Sequence, residues 1–549
     1  MHQRFREMLI KGTKSKVLLI GGIIISALIL RIWGIAYDLP YIYHPDEPVP
    51  LGIAYRMLAT GDLNPHFFDW SSLIIYINLF IQFVYSLFER IFIPDSSFKP
   101  VNPVVELAMG VTYSPKPIIV LLGRLVTVAV GICTIVIVIS AGKHIFNDLR
   151  VGMLAGLMMA IAPTNVALNR YITPDAYATF FMTLVLWASI SIYSNSQMWG
   201  YILAGIGLGL AVSSKYNAGL IGIVILTAHF LSHGLRGFKD WRLYLTVFLA
   251  VLAFAITTPY SWLDFHTFLP SFLSTGTHYA TGHPGMEGNT LHWYFSYMWR
   301  TAGIIYPLAA LSIIRGWIPK PSEKIVLLSL FPVVYFAFIS NFIVRNDRTF
   351  LPLTPFLFLL ASELLVGLFD SIKSLPSQRW QQLAFLGLTC LLAISLVVPA
   401  KSTFADTVQL TTVNSRETAR VWIEQNLPAG SKIAIESYSP FVNPARFKVS
   451  GFVRMIDFEP EWYIQNGFDY LVFSQGMYGR FYRQPGQYPV EVAKYDKFFN
   501  DFMLVRLFTD GNYEVRIYAL HRDEATFPSV DIYCLNDDFN AIICASSHN

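Results

Sequence analysis

Long apolar runs alternate with short polar stretches from residue 17 to residue 400. The runs cover 17–36, 118–141, 151–168, 174–193, 200–214, 219–231, 244–259, 302–314, 325–342, 350–368 and 383–398. A helix of about 20 apolar residues crosses a bilayer, so the pattern predicts about eleven transmembrane helices. After residue 400 the period changes. Residues 414–426 read as an amphipathic helix with Ala419, Val421, Trp422 and Ile423 among polar residues, closed by Leu427-Pro428-Ala429-Gly430. Residues 432–436 alternate like a strand, and 470–474, 503–508 and 513–520 are further strands. The predicted fold is a polytopic α-helical membrane protein carrying a small C-terminal α/β domain.

Charge sets the orientation. Arg4, Arg6, Lys11, Lys14 and Lys16 precede the first run, which is too long for a secretory h-region and shows no small-residue cleavage site. It reads as a retained helix with a basic cytoplasmic segment at 1–16. Segment 71–93 is apolar enough to span but holds Asn78, Gln82, Glu89 and Arg90. A full crossing there would put the basic loops at Arg236, Lys239 and Arg242, at Arg315, Lys320 and Lys324, and at Lys373 and Arg379 outside the cell, against the positive-inside rule. The expected organisation is therefore a transmembrane unit at 17–400 and an extracytoplasmic domain at 401–549. Within the first, 37–117 is one long external loop with helices lying at the interface.

Composition narrows the class. Of 549 residues, 54% are hydrophobic and 14% charged, where soluble proteins hold roughly a quarter charged. A net charge of +4, with no basic run interleaved with aromatics, gives no footprint for nucleic acid. Cys133 and Cys390 fall in apolar segments as packing residues, whereas Cys534 and Cys544 can pair if their end faces an oxidising compartment.

Chemistry-bearing residues gather at the predicted external edges. Tyr43-His44-Pro45-Asp46-Glu47-Pro48 sets two carboxylates and a histidine between prolines at a membrane surface, where an acidic pair marks a reaction or cation site, or else caps a loop. His66 lies in the same loop. Asp175 follows Pro174 and equally suits a helix N-terminus. Lys215 sits in Ser213-Ser214-Lys215-Tyr216-Asn217, a polar break in an apolar hairpin, and snorkelling also accounts for it. His278, His283, Glu287 and His292 flank a Gly-rich loop at 282–288. Arg345, Asp347 and Arg348 precede the run at 350, the two arginines as phosphate ligands or as helix-end anchors. Carboxylates beside cations at a membrane edge suit transfer from a lipid-linked phosphate donor: cations offset the phosphate and a carboxylate takes a proton from an acceptor hydroxyl. A second carboxylate can orient that base or share Mg or Mn, with histidine admitting Zn.

The order of these features resembles the C-type, multi-spanning glycosyltransferases, in the bacterial branch near the protein O-mannosyltransferases and aminoarabinose transferases. The matching pieces are Asp46-Glu47, 53–61, Gly123-Arg124-Leu125, Ala162-Pro163, Thr173-Pro174-Asp175, Gly207-Leu208-Gly209-Leu210, Ser214-Lys215-Tyr216 and Arg348-Thr349-Phe350-Leu351-Pro352. The resemblance implies a polyprenyl-phosphate sugar as donor, Asp46 as base, Glu47 as its support or a metal ligand, and Asp175 as a second acid. It also implies Lys215, Arg345 and Arg348 on the donor phosphate. His283 joins Glu47 and Asp175 as a metal candidate, and joins His66 among residues near the phosphate. Where the aminoarabinose branch carries a Lys-Pro-Pro element, Gly61-Asp62 here runs into Leu63-Asn64-Pro65-His66. The resemblance therefore implies neither that sugar nor lipid A. The other classes in view are a lipid-linked sugar transporter, which would place polar residues at mid-membrane depth, and a non-catalytic envelope scaffold, which leaves Asp46, Glu47 and Asp175 without a task.

Overall fold

A computed structural model of the chain describes residues 2–92, 100, 102–108, 111–282, 285, 287–511, 513–520, 532–534 and 542–544. Among these, eight helices are long and apolar enough to cross a membrane, and the shorter apolar helices Leu149–Ile161, Met198–Ser214 and Trp241–Thr257 stand with them. The chain is a multi-pass membrane protein. Helix Leu73–Phe92 is one of the eight. It turns Asn78, Gln82 and Ser86 inward and leaves Phe80, Phe83, Val84, Phe88 and Ile91 exposed. The run predicted at 302–314 forms a helix of 13 residues, Ile305–Trp317.

Local chemistry explains the breaks. The run predicted at 151–168 is two helices, Leu149–Ile161 and Pro163–Leu168, because Pro163 lacks an N–H and starts a new helix at its first turn. Arg31, fully buried in helix His2–Ile32, donates to the Met159 and Ala160 carbonyls at 3.1 Å, the C-terminal end of the first of these helices. A cation suits that pole. The last of the eight long apolar helices, Gln378–Gln409, continues past the predicted end at 398. Its polar last turns are held by the bundle: the Thr403 hydroxyl donates to the Ile161 carbonyl, and Arg170 donates to Thr407.

Among the described residues the C-terminal domain is a seven-stranded sheet with helices packed on it. Strand Lys432–Glu436 lies parallel between Lys448–Phe452 and Tyr470–Ser474; Glu514–Ala519 pairs antiparallel with Tyr470–Ser474 and with Met503–Thr509. Met503–Thr509 runs parallel to Ile532–Cys534, which pairs with Ile542–Cys544. The side chains of Cys534 and Cys544 lie outside the described residues. Helix Ser415–Asn426 is capped by Asn414, whose side chain accepts from the Arg416 N–H at 3.0 Å.

Glu436 is fully buried at the end of its strand. Its Oε1 accepts from the Ser474 N–H at 2.7 Å and its Oε2 from the Tyr495 hydroxyl at 3.1 Å. Burial pushes its carboxyl up to about 8, and the hydrogen bonds it accepts pull the other way. Unfolded, it titrates near 4.5, so between pH 4.5 and 8 the folded state holds a proton that the unfolded state has lost. Stability then falls as pH rises through this window. The expected result is a C-terminal domain that melts lower at pH 8 than at pH 5. Glu436→Gln removes most of this slope and stabilises the domain at pH 8 by a few kcal/mol, on the order of the shift. Melting followed by tryptophan fluorescence checks it; an unchanged slope in the variant would assign the effect to other groups.

Candidate active site

Helix Pro48–Thr60 starts at its proline, and Glu47 stands at its N-cap position. Glu47 is completely buried and locked to Arg124 of helix Pro117–Phe146. The guanidinium donates to Oε1 at 2.9 Å and to Oε2 at 2.8 Å, a bidentate pair. Its remaining Nη1 donates to the carbonyls of Ile35 and Tyr37, and its plane lies 3.8 Å from the Tyr37 ring centroid. Glu47 also accepts from the Ile172 N–H at 3.2 Å. This knot joins the turns after the first helix, the Asp46 loop, helix Pro117–Phe146 and the 169–173 turn.

Asp46 is turned the other way. Its carboxylate pairs with Arg348, and both side chains keep partial exposure. The Asp46 N–H donates to His44 Nδ1 at 3.2 Å, and the His44 ring lies against Tyr171 with centroids 4.2 Å apart. Burial pushes the His44 imidazole down, so Nδ1 stays an acceptor at neutral pH. Arg348 is aimed by a short helix, Asp347–Phe350, whose Asn346 cap accepts from the Thr349 N–H at 2.9 Å.

Asp175, in the first turn of helix Pro174–Asn195, is 2% exposed in its side chain and pairs with Lys215 at 2.7 Å. Lys215 adopts an extended backbone between Met198–Ser214 and the 3-10 turn Tyr216–Ile221, which lets its side chain reach across 40 residues of sequence. The two pairs are neighbours: Arg348 interacts electrostatically with Asp175 as well as Asp46, and Lys215 with Arg348. Tyr279, near the end of helix Phe265–Thr281, interacts with both cations.

The other sequence-predicted residues lie apart from this cluster. His66 bonds Asp62 at 2.8 Å on an exposed turn. Arg345 lies over Gly288, whose backbone φ of +135° calls for glycine. His283 lies outside the described residues. The metal set Glu47, Asp175 and His283 does not fit a divalent ion in its described part, since Glu47 is fully engaged by Arg124 and Asp175 faces a lysine. Among the described residues one group of three, His229, His233 and Asp240, brings its potential ligand atoms within 4.8 Å. Its ring nitrogens already bond Tyr201, Gly237, His229 O and Arg242, and Asp240 takes Arg242. That leaves the group as a helix-end clamp.

Sequence reasoning missed the partner of Glu47 and the place of Tyr279. An arginine inside the apolar run 118–141 was the available signal for the first, because a buried guanidinium requires a partner. It also missed how the C-terminal domain grips the Asp46 loop. Phe441 packs on Tyr41 and Tyr43, and the Arg416 guanidinium lies 4.2 Å from the Tyr43 ring centroid.

Comparison with known proteins agrees with this architecture. Residues 121–262 match the family described as dolichyl-phosphate-mannose-protein mannosyltransferase. No curated protein matches the chain by sequence. The structure is similar to ArnT from Cupriavidus metallidurans bound to undecaprenyl phosphate, at TM-score 0.52 and 15% identity over 93% of this chain and 99% of that one. It is also similar to the archaeal oligosaccharyltransferase AglB from Archaeoglobus fulgidus, solved with an inhibitory peptide and a dolichol-phosphate. That match has TM-score 0.55 and 11% identity over 87% of this chain and 72% of that one. The family match covers part of the membrane unit, and the chain shares the fold of these two structures.

Proposed function

We propose that the protein transfers a sugar from a polyprenyl-phosphate-linked donor to an acceptor hydroxyl on a protein, lipid or surface glycan, with inversion, at the extracytoplasmic face of the cell membrane. The N-terminus is then cytoplasmic and the C-terminal domain outside. One observation carries the reading: the pairs Asp46–Arg348 and Asp175–Lys215 are neighbours, and Phe350, two residues beyond Arg348, lines an apolar groove. The groove holds about 510 Å³ between helices Thr290–Ala302, Ile305–Trp317, Glu323–Ser340 and Thr354–Ile372. Trp299, Tyr306, Phe336 and Leu357 line it, and Phe350, two residues beyond Arg348, closes one side. A polyprenyl tail suits that wall, and its phosphate then reaches the cations. That the similar structures are complexes with undecaprenyl phosphate and a dolichol-phosphate supports this donor class.

The chemistry follows from ion-pair exchange. The donor phosphate competes with Asp46 for Arg348, since a guanidinium binds either oxyanion in the same geometry. A carboxylate released from its cation is a stronger base. Asp46 takes the acceptor's hydroxyl proton, the oxygen attacks the anomeric carbon, and the bond from that carbon to the phosphate oxygen breaks. The polyprenyl phosphate leaves with the electron pair, its charge offset by Arg348 and Lys215. Asp175 holds Lys215 in place.

The test is turnover of a panel of radiolabelled polyprenyl-phosphate sugars by purified protein, with Ala310→Trp alongside. Ala310 lines the groove and faces outward, so an indole fills the tail path without touching the ion pairs. One donor is expected to turn over, with KM for the long-chain form raised about tenfold in the variant and a short-chain analogue unaffected, by loss of buried chain area. No turnover of any donor would shift the reading toward transport.

A further inference from the structure

The C-terminal domain holds a second pocket, of about 270 Å³, lined by Gln475, Tyr478, Tyr482, Arg483, Phe499 and Arg516 together with Gly479 and Glu514. It lies at the carboxyl end of strand Tyr470–Ser474, where helix Gln475–Tyr482 begins. Open α/β sheets bind ligands at that edge. From these groups we propose that the pocket binds a saccharide unit carrying an acidic substituent.

Three features point to this ligand class. The wall is aromatic, with Tyr478, Phe499 and a Tyr482 ring that is 37% exposed and lies within 24° of parallel to Phe499. Such faces take the C–H side of a sugar ring. Beside them stand fixed polar groups of both kinds. Glu514 accepts from the Tyr478 hydroxyl at 2.6 Å and pairs with Arg516, whose guanidinium lies 4.7 Å from the Phe499 ring centroid and 5.2 Å from that of Tyr478. This stacking pre-orients donors and an acceptor at the ring edge, as a hydroxyl-rich ligand requires. The rim then supplies charge. Arg483 is exposed and has no side-chain hydrogen bond or ion pair among the described residues, and neither has the Gln475 amide. An acidic group on the ligand meets Arg483 while the ring rests on Tyr482.

The same helix leads toward the membrane unit, since Gly285 of the 282–288 loop packs on Arg480. Tyr488 further binds that loop, accepting from the Gly285 N–H at 3.0 Å and donating to Glu287 at 2.8 Å. The bound saccharide would be part of the acceptor if the transfer reading holds, but the binding itself does not depend on it.

Saturation-transfer NMR on the full chain in nanodiscs decides the matter, with tetragalacturonate and mannose 6-phosphate as acidic probes and maltotetraose as the neutral one. Signal transfer to ring protons of at least one acidic probe is expected, exceeding that to maltotetraose. Affinity should fall about tenfold in Tyr482→Ala, from lost ring contact, and about as much in Arg483→Glu, from lost charge pairing. Both side chains are exposed, so both variants fold. Asp46→Asn should bind like the unmodified chain, which separates failure of this site from failure of the transfer reading. No transfer to either acidic probe, binding in either pocket variant as strong as in the unmodified chain, or preference for maltotetraose would overturn the proposal.

Discussion

Asp46→Asn is expected to lower sugar transfer by about 10²–10⁴-fold, the usual contribution of a positioned general base, while leaving the amount of folded protein in the membrane unchanged. The second half follows from where Asp46 sits. Its carboxylate is partly exposed and meets one cation, Arg348, which is itself about one-third exposed. A pair at such a rim contributes little to stability. The first half follows from geometry. Glu47 points into the protein and cannot substitute, and Asp175 is bonded to Lys215. The measurement is initial rate against donor concentration, with membrane levels read by immunoblot. Arg348→Met is the informative companion. It frees Asp46 from its cation and removes the phosphate ligand, so KM for the donor rises. Transfer at the original rate by Asp46→Asn would remove Asp46 from the base role and leave Asp175 and Asp347 as the other acids beside Arg348.

The membrane fold was legible because hydrophobicity is a local property. Runs such as 118–141 and 174–193 coincide with helices Pro117–Phe146 and Pro174–Asn195, whose apolar surface needs no partner to be read. Where polar chemistry or tertiary support decides, the pattern was silent. Helix Gln378–Gln409 keeps going through Lys401, Ser402 and Asp406 because Thr403 finds a partner on helix Leu149–Ile161 and Thr407 finds Arg170 in the 169–173 turn. Strand Lys448–Phe452 contains Ser450 and Gly451 and forms because Lys432–Glu436 offers it a parallel edge. The site divides along the same line. Residues 46, 175, 215 and 348 stood out as charges at apolar boundaries. Their pairing could not be read, since Arg348 and Asp46 lie 302 positions apart and only the packed bundle brings them together. Glu47 and Arg345 carried the same sequence signal and went elsewhere, one inward to Arg124 and the other to the Gly288 loop.

The role of Glu47 can be separated from that of Asp46 by removing its partner. Arg124→Met strands a carboxylate in a site from which both side chains are fully excluded from solvent, and breaking a buried pair in this way costs about 3–5 kcal/mol. The expected outcome is a large drop in melting temperature and in membrane yield. Adding Glu47→Gln removes the stranded charge and should recover more than half of the loss. Recovery stays incomplete, because the Ile35 and Tyr37 carbonyls still lack the donor that Arg124 provided. A double-mutant cycle on thermal unfolding in detergent reads the coupling directly. Transfer adds a second readout. In the double variant the loop carrying Asp46 loses its anchor to helix Pro117–Phe146, so kcat falls even where the protein is folded. If Glu47→Gln alone abolished transfer with the melting temperature unchanged, the carboxylate would be acting on substrate, and the Arg124 pair would be a resting arrangement that opens when the donor binds.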